Sequence, residues 1–226
     1  MSHNPVFVAI DTPRVEDAAA LVGRLLPHVG GVKLGLEFFC ANGPAGVAMI
    51  AQLGLPVFLD LKLHDIPNTV AGALHSLAGL VPAIVTVHAT GGHAMLAAAR
   101  AAAPTGTKVV AVTVLTSLDD DDLVAAGVAG GTAAQVLRLA VVVRGAGLDG
   151  VVASPHETAA VRAAWPDATI VVPGVRPAGS AVGDQKRVMT PRQARDAGAS
   201  VLVIGRPITG AQDPAAAAAA IVRELV

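Results

Sequence analysis

The 226-residue chain is 53% hydrophobic but only 2% aromatic, so a sizeable core has to be filled by many small aliphatic side chains on regular elements. A formal net charge of −1, without any basic run, argues against nucleic acid as the main partner, because backbone binding needs clustered Lys and Arg. The single cysteine, Cys40, excludes an internal disulfide, and no apolar stretch approaches the roughly 20 residues of a membrane span, so a cytoplasmic protein with no membrane contact is expected.

The opening "MSHNPVFVAID" has no basic region followed by a long apolar one, so no leader segment is expected there. It passes into a β-branched run, "VFVAID" (6–11), and residues 14–26 then hold apolar positions at helical spacing. Further apolar runs are "GVKLG" (31–35), "VFLDLKL" (57–63), "AIVTVHA" (83–89) and "VVAVTVL" (109–115). Residues 131–146 predict a helix closed by glycines suited to its C-terminus. The remaining runs are "GVVAS" (150–154), "TIVVPGV" (169–175) and "VLVIGRP" (201–207). Between the last two, Thr190 and Pro191 predict an N-cap and first helical position, and Asp213 with Pro214 repeats the device before an Ala-rich helix. Continuous rather than alternating apolar runs indicate parallel strands covered on both faces. Eight βα units in one chain predict an α/β fold, a single-domain (β/α)8 (TIM) barrel over residues 1–226, with an open doubly wound sheet as the rival. The Gly-rich, polar stretch 176–189 is a candidate lid.

Barrel enzymes collect their chemistry at the C-terminal ends of the strands. The polar residues there are Asp11, Lys33, Asp60 and Lys62 with Asp65 just beyond, then His88, Thr116, Ser117, Ser154, Arg176, Gly205 and Arg206. Period-2 alternation puts Asp60 and Lys62 on one face of the third strand, within reach of Lys33 on its neighbour. Carboxylates beside lysines favour the charged ammonium, so an alternating Lys–Asp–Lys–Asp array is a poor general base and a good proton donor to a carbanion. The bland alternative is a structural ion-pair network, but buried pairs stabilise little and apolar residues would serve as well. Gly205 and Arg206 suit close approach to a phosphate and a bidentate contact with it, with Arg176 and Gln185 from the lid closing over the same group; a plain turn with a surface arginine is the competing reading. His64 fits a supporting hydrogen-bond role, and His88 a satisfied strand-end histidine. His88 and His93 are poorly spaced for a metal, so none is expected, and nothing near Cys40 suggests activation.

"FLDLKLHDIPNTV" matches the pattern D-x-K-x-x-D-I-P-N-T, and on it the sequence resembles the orotidine 5′-phosphate decarboxylase family, bacterial type. "VAID", "VKLG", "VTVLTS", "PGVRPAGSAVGDQKRVMTP" and "VIGRPIT" resemble the same family in the same order over almost the whole chain. The resemblance implies conversion of orotidine 5′-phosphate to UMP and CO2, without cofactor or metal. It implies Lys62 as proton donor to C6, Asp60 against the substrate carboxylate, and Lys33 and Asp65 completing the charge array. Asp11 and Lys33 would hold the ribose, Thr116 the pyrimidine, and Gln185, Gly205 and Arg206 the phosphate, with Arg176 nearby. It further implies a homodimer in which Asp65 and Thr69 complete the partner's site. The rivals are a metal-dependent sugar-phosphate decarboxylase or aldolase of the same superfamily, for which Glu37 is the only extra carboxylate in view, and a non-catalytic phosphate-binding barrel.

Overall fold

Strand formation follows the apolar runs closely, and in the computed structural model, which describes residues 4–177 and 189–225, those runs close into a parallel barrel. The strands are β1 (Val6–Ile10), β2 (Gly31–Leu34), β3 (Val57–Leu63), β4 (Ile84–His88), β5 (Lys108–Val112), β6 (Gly150–Val152), β7 (Thr169–Val172) and β8 (Val201–Ile204). Each pairs with the next, and β8 pairs with β1, so the doubly wound alternative falls. The connecting helices are α1 (Val15–Leu25), α2 (Leu36–Ala51), α3 (Pro67–Ser76), α4 (Gly92–Ala102), α5 (Asp120–Ala125), α6 (Gly131–Gly145), α7 (Thr158–Ala164), α8 (Pro191–Asp196), α9 (Arg206–Thr209) and α10 (Pro214–Arg223). The α2 segment is broken at Gly43, whose φ of 59° only glycine adopts readily, and resumes at Pro44.

Two apolar layers result from the strand alternation. Phe7, Ala9, Phe58, Ile84, Val110, Val171, Val201 and Val203 fill the barrel interior. Their neighbours in sequence, such as Val6, Val8, Leu59 and Val85, face outward against helix residues including Val22, Phe38 and Leu96. The interior is therefore a packed core rather than a pore. It is filled asymmetrically: a Cβ at Gly31 would lie 2.3 Å from the Phe7 ring, so the small residue on β2 makes room for the large one on β1.

The predicted helix starts are present as predicted. Thr190 and Gln193 form a reciprocal capping box at α8, and the Asp213 carboxylate accepts from the backbone N–H groups of Ala215 and Ala216 at α10. Two of the strands end well before their apolar runs do. The "VVAVTVL" strand stops at Val112 and "TIVVPGV" at Val172, so Thr116 and Arg176 stand on the loops above the barrel rather than on its strands. Gly174, at φ 73°, turns the chain after β7.

Candidate active site

Lys33 enters the site because β1 and β2 pair in the register Phe7↔Gly31 and Ala9↔Lys33. This sets its side chain on the interior face, one layer above the Phe7–Gly31 contact. Asp60 stands two residues beyond Phe58 of the inner core, and Asp11 two beyond Ala9. The three strands thus converge their charges on one corner of the barrel mouth. Lys62 Nζ lies 2.8 Å from Asp60 Oδ2, Lys33 Nζ lies 3.7 Å from that same oxygen, and Lys33 Nζ lies 3.4 Å from Asp11 Oδ1. The order is Asp11–Lys33–Asp60–Lys62, an alternating array within one chain. Its centre is the most shielded part: the Lys33 and Asp60 side chains are each 12% exposed, Lys62 30% and Asp11 57%.

Asp65, expected as a member of this array, is not joined to it within the chain. It is exposed beyond β3, its Oδ1 accepts from Ile66 N at 2.6 Å, and among the described residues no ion pair links it to Lys33 or Lys62. Thr69 is exposed in the first turn of α3.

Asp60 and Lys62 share a face, but a flat strand does not carry them there. Leu59 pairs with Val85 and Leu63 with Val87, so four steps along β3 match two along β4, and the ladder bulges between them. Lys62 sits in that bulge with a φ of 52°, left-handed backbone that a lysine rarely adopts and that costs on the order of 1–3 kcal/mol. The side chain of Thr86 replaces the missing ladder partner. Its hydroxyl accepts from Lys62 N at 2.9 Å and donates to Asp60 Oδ1 at 2.9 Å. Thr86 is fully buried. Sequence reasoning passed over it, although a polar residue at inward parity, two before His88 in "AIVTVHA", was a signal.

Lys33, Asp60 and Lys62 of the array line a cavity of about 170 Å³. Phe58, Val112, Val152, Val171 and Val203 supply an apolar floor, and Leu115, Thr116 and Pro173 stand above it. A flat apolar ring bearing a charged group at one edge is the kind of ligand that such an amphiphilic hollow accepts. Gly35 guards the same corner, because a Cβ there would come within 2.9 Å of Lys33 Nζ. At Gly205 a Cβ would meet only the Ala9 Cβ, at 3.5 Å, an ordinary contact, so the protein's own packing does not demand glycine at that position. Arg206 is exposed at the start of α9, beside the end of β8. Arg176 is buried, and its Nη1 donates to Val175 O at 3.0 Å. Gln185 and most of the expected lid lie outside the described residues.

Two further strand-end residues, Ser154 and His88, have neighbours of their own. The Ser154 hydroxyl donates to Glu157 and Thr158 donates to Ser154 O, so β6 ends in an internal hydrogen-bonded turn. The His88 and His64 rings lie 5.3 Å apart, and burial, with the nearby His64 and Lys62 charges, pushes the His88 pKa below its usual 6.5. Burial thus favours the neutral imidazole of His88. Glu37 is exposed in the first turn of α2, and among the described residues no three His, Cys, Asp or Glu side chains cluster to hold a metal. Nor is any described helix long and apolar enough to cross a membrane.

The family model described as "Orotidine 5'-phosphate decarboxylase / HUMPS family" matches residues 4–221. Orotidine 5′-phosphate decarboxylase of Novosphingobium aromaticivorans is 61% identical over 218 residues, 96% of this chain and 97% of that protein. The same enzyme of Erythrobacter litoralis is 63% identical over 215 residues, 95% and 96% of the two chains. The crystal structure of orotidine 5′-phosphate decarboxylase from Lactobacillus acidophilus superposes with a TM-score of 0.86 at 40% identity, covering 98% of this chain and 99% of that one.

Proposed function

This chain belongs to the orotidine 5′-phosphate decarboxylase / HUMPS family, and on that premise we propose that it is the carboxy-lyase that converts orotidine 5′-phosphate to UMP and CO2, the last step of UMP synthesis. The observation that carries the reading is the Asp11–Lys33–Asp60–Lys62 array, of which Lys33, Asp60 and Lys62 line a mostly apolar hollow at the C-terminal mouth of the barrel. The reaction asks for such a site. The bond from C6 to the carboxylate breaks heterolytically, CO2 leaves, and the electron pair stays on C6, where the ring delocalises it poorly. An ammonium at C6 gains attraction as that charge builds, which is stabilisation specific to the transition state. Lys62 fills this role and gives its proton to C6, then recovers one from water. Asp60 faces the substrate carboxylate, and their repulsion falls as CO2 departs.

Magnitudes rank these effects. One close charge pair at an effective dielectric near 20 is worth about 4 kcal/mol. Enzymes lower barriers by about 8–23 kcal/mol, so repulsion by Asp60 cannot carry the reaction alone. Lys62, the preorganised array and binding energy drawn from the phosphate supply the larger share. We assign the ribose hydroxyls to Asp11 and Lys33, the pyrimidine to Thr116, and the phosphate to Gly205, Arg206, Arg176 and Gln185. The reaction as written needs no cofactor. Asp65 and Thr69 act in this reading across a homodimer, supported by their exposure and by Ile66 beside them, 66% exposed.

Adding the purified protein to orotidine 5′-phosphate should bleach the orotate chromophore and yield UMP and CO2 in equal amounts, with EDTA without effect. No turnover would sink the assignment, and loss of activity in EDTA would favour the metal-dependent rival. Mixed dimers of inactive Lys62→Ala and Asp65→Ala chains should regain one intact site. No recovery despite verified exchange would place Asp65 in its own subunit's site.

A further inference from the structure

We propose that Thr86 is a positioning residue for the decarboxylation, its one buried hydroxyl fixing the Asp60 carboxylate and the Lys62 backbone relative to each other. The inference rests on the decarboxylase reading of the site. A threonine hydroxyl has a single proton to donate and two lone pairs to offer. Here the proton goes to Asp60 Oδ1 and a lone pair receives the N–H of Lys62, both at 2.9 Å. Thr86 is fully buried, so water does not substitute for either bond. It does not line the cavity, so it acts through its neighbours rather than on the substrate.

The two bonds govern different things. With Oδ1 bound to Thr86, the plane of the Asp60 carboxylate is set, and Oδ2 is turned toward both Lys62 and Lys33. The bond to the Lys62 N–H compensates a backbone group that the β3–β4 bulge removes from the ladder. That bulge is where Lys62 adopts its left-handed φ, a conformation that persists only when its surroundings over-determine it. Without the hydroxyl, Lys62 loses the contact that holds its backbone in that conformation, and the ammonium shifts relative to the carboxylate. An error of about 1 Å at a reacting centre can cost on the order of a hundredfold in rate.

Thr86→Val removes the hydroxyl at constant shape, and Thr86→Ser keeps it. For Val we expect kcat per folded molecule to fall at least tenfold and toward a hundredfold, while KM and UMP affinity stay within about threefold of wild type. Ser should restore kcat to within about threefold. A purely structural role would lower Tm and leave kcat per folded molecule and the kcat-to-KM split unmoved. Val with wild-type kcat, or Ser as impaired as Val, overturns the inference while leaving the decarboxylase reading intact. A wild type inactive on orotidine 5′-phosphate refutes the reading itself. The crystal structure of Thr86→Val then decides positioning by itself: a left-handed Lys62 still in contact with Asp60 overturns it, and a relaxed Lys62 supports it.

Discussion

Replacing Lys62 by alanine removes the ammonium 2.8 Å from Asp60 Oδ2 and nothing else in the array. Breaking a buried ion pair commonly costs about 3–5 kcal/mol, because the remaining charge is stranded. Asp60 is not stranded here. It keeps the Thr86 hydroxyl at 2.9 Å and Lys33 at 3.7 Å, and the Lys62 side chain was already 30% exposed, so the fold should survive with a small drop in Tm. Catalysis should not survive. A charge facing the developing carbanion at roughly 4 Å, under an effective dielectric near 20, contributes about 4 kcal/mol, or about three powers of ten. Loss of a positioned proton donor adds about 10²–10⁴, giving a combined fall in kcat of about 10⁵–10⁷. The assay is disappearance of the orotate chromophore at saturating substrate, with Tm measured on the same preparation. A folded Lys62→Ala protein within a hundredfold of wild type would refute the proton-donor role.

Three further expectations follow from other contacts. Gly35→Ala introduces a Cβ 2.9 Å from Lys33 Nζ on a backbone that alanine tolerates, φ −96° and ψ −169°, so the ammonium must move and kcat/KM should fall by about 10- to 100-fold with Tm little changed; unaltered kinetics would contradict it. His88 has a folded pKa depressed below 6.5, so the unfolded chain binds more protons and stability should decline as pH falls from about 6.5 toward the folded value; His88→Asn should flatten that limb of a Tm–pH curve, and an unchanged limb would assign it elsewhere. Thr190→Ala removes half of the α8 capping box and should cost about 1 kcal/mol, roughly 2–4 °C in Tm, with kcat unaffected; an unaltered Tm would mean the cap contributes nothing.

Much of this was legible in the residues because the physics involved is local. Apolar runs bounded by turn residues marked all eight strands, and short-range capping chemistry marked the starts of α8 and α10. Strand parity brought Lys33 and Asp60 to the mouth correctly. Parity says which face a residue takes and nothing about where a ladder slips. The left-handed Lys62 and its bond to Thr86 depend on β3 and β4 losing register, which is a property of two strands together. Asp11 was read as a ribose contact by resemblance, and its closure of the array through Lys33 needed the Ala9↔Lys33 register. Ser154 looked available at a strand end because its partner, Glu157, is a local turn contact that composition does not reveal.

The pairing of β8 with β1 constrains how the protein can be made. Strand β1 leaves the ribosome first, yet one of its two edges stays unsatisfied until the final strand has been synthesised. Asp11, at the end of β1, and Arg206, just past β8, are brought to one mouth only by that last pairing. A nascent fragment holding β1–β3 already contains the four residues of the charge array, but it lacks Arg206 and the other half of the mouth until β8 has been made. Contacts between the two extremes of a chain also form slowly, since loop closure precedes any gain from pairing. The early strands must wait in a partly open state, so premature termination near the C-terminus should leave an aggregation-prone chain with an exposed strand edge rather than a weak enzyme.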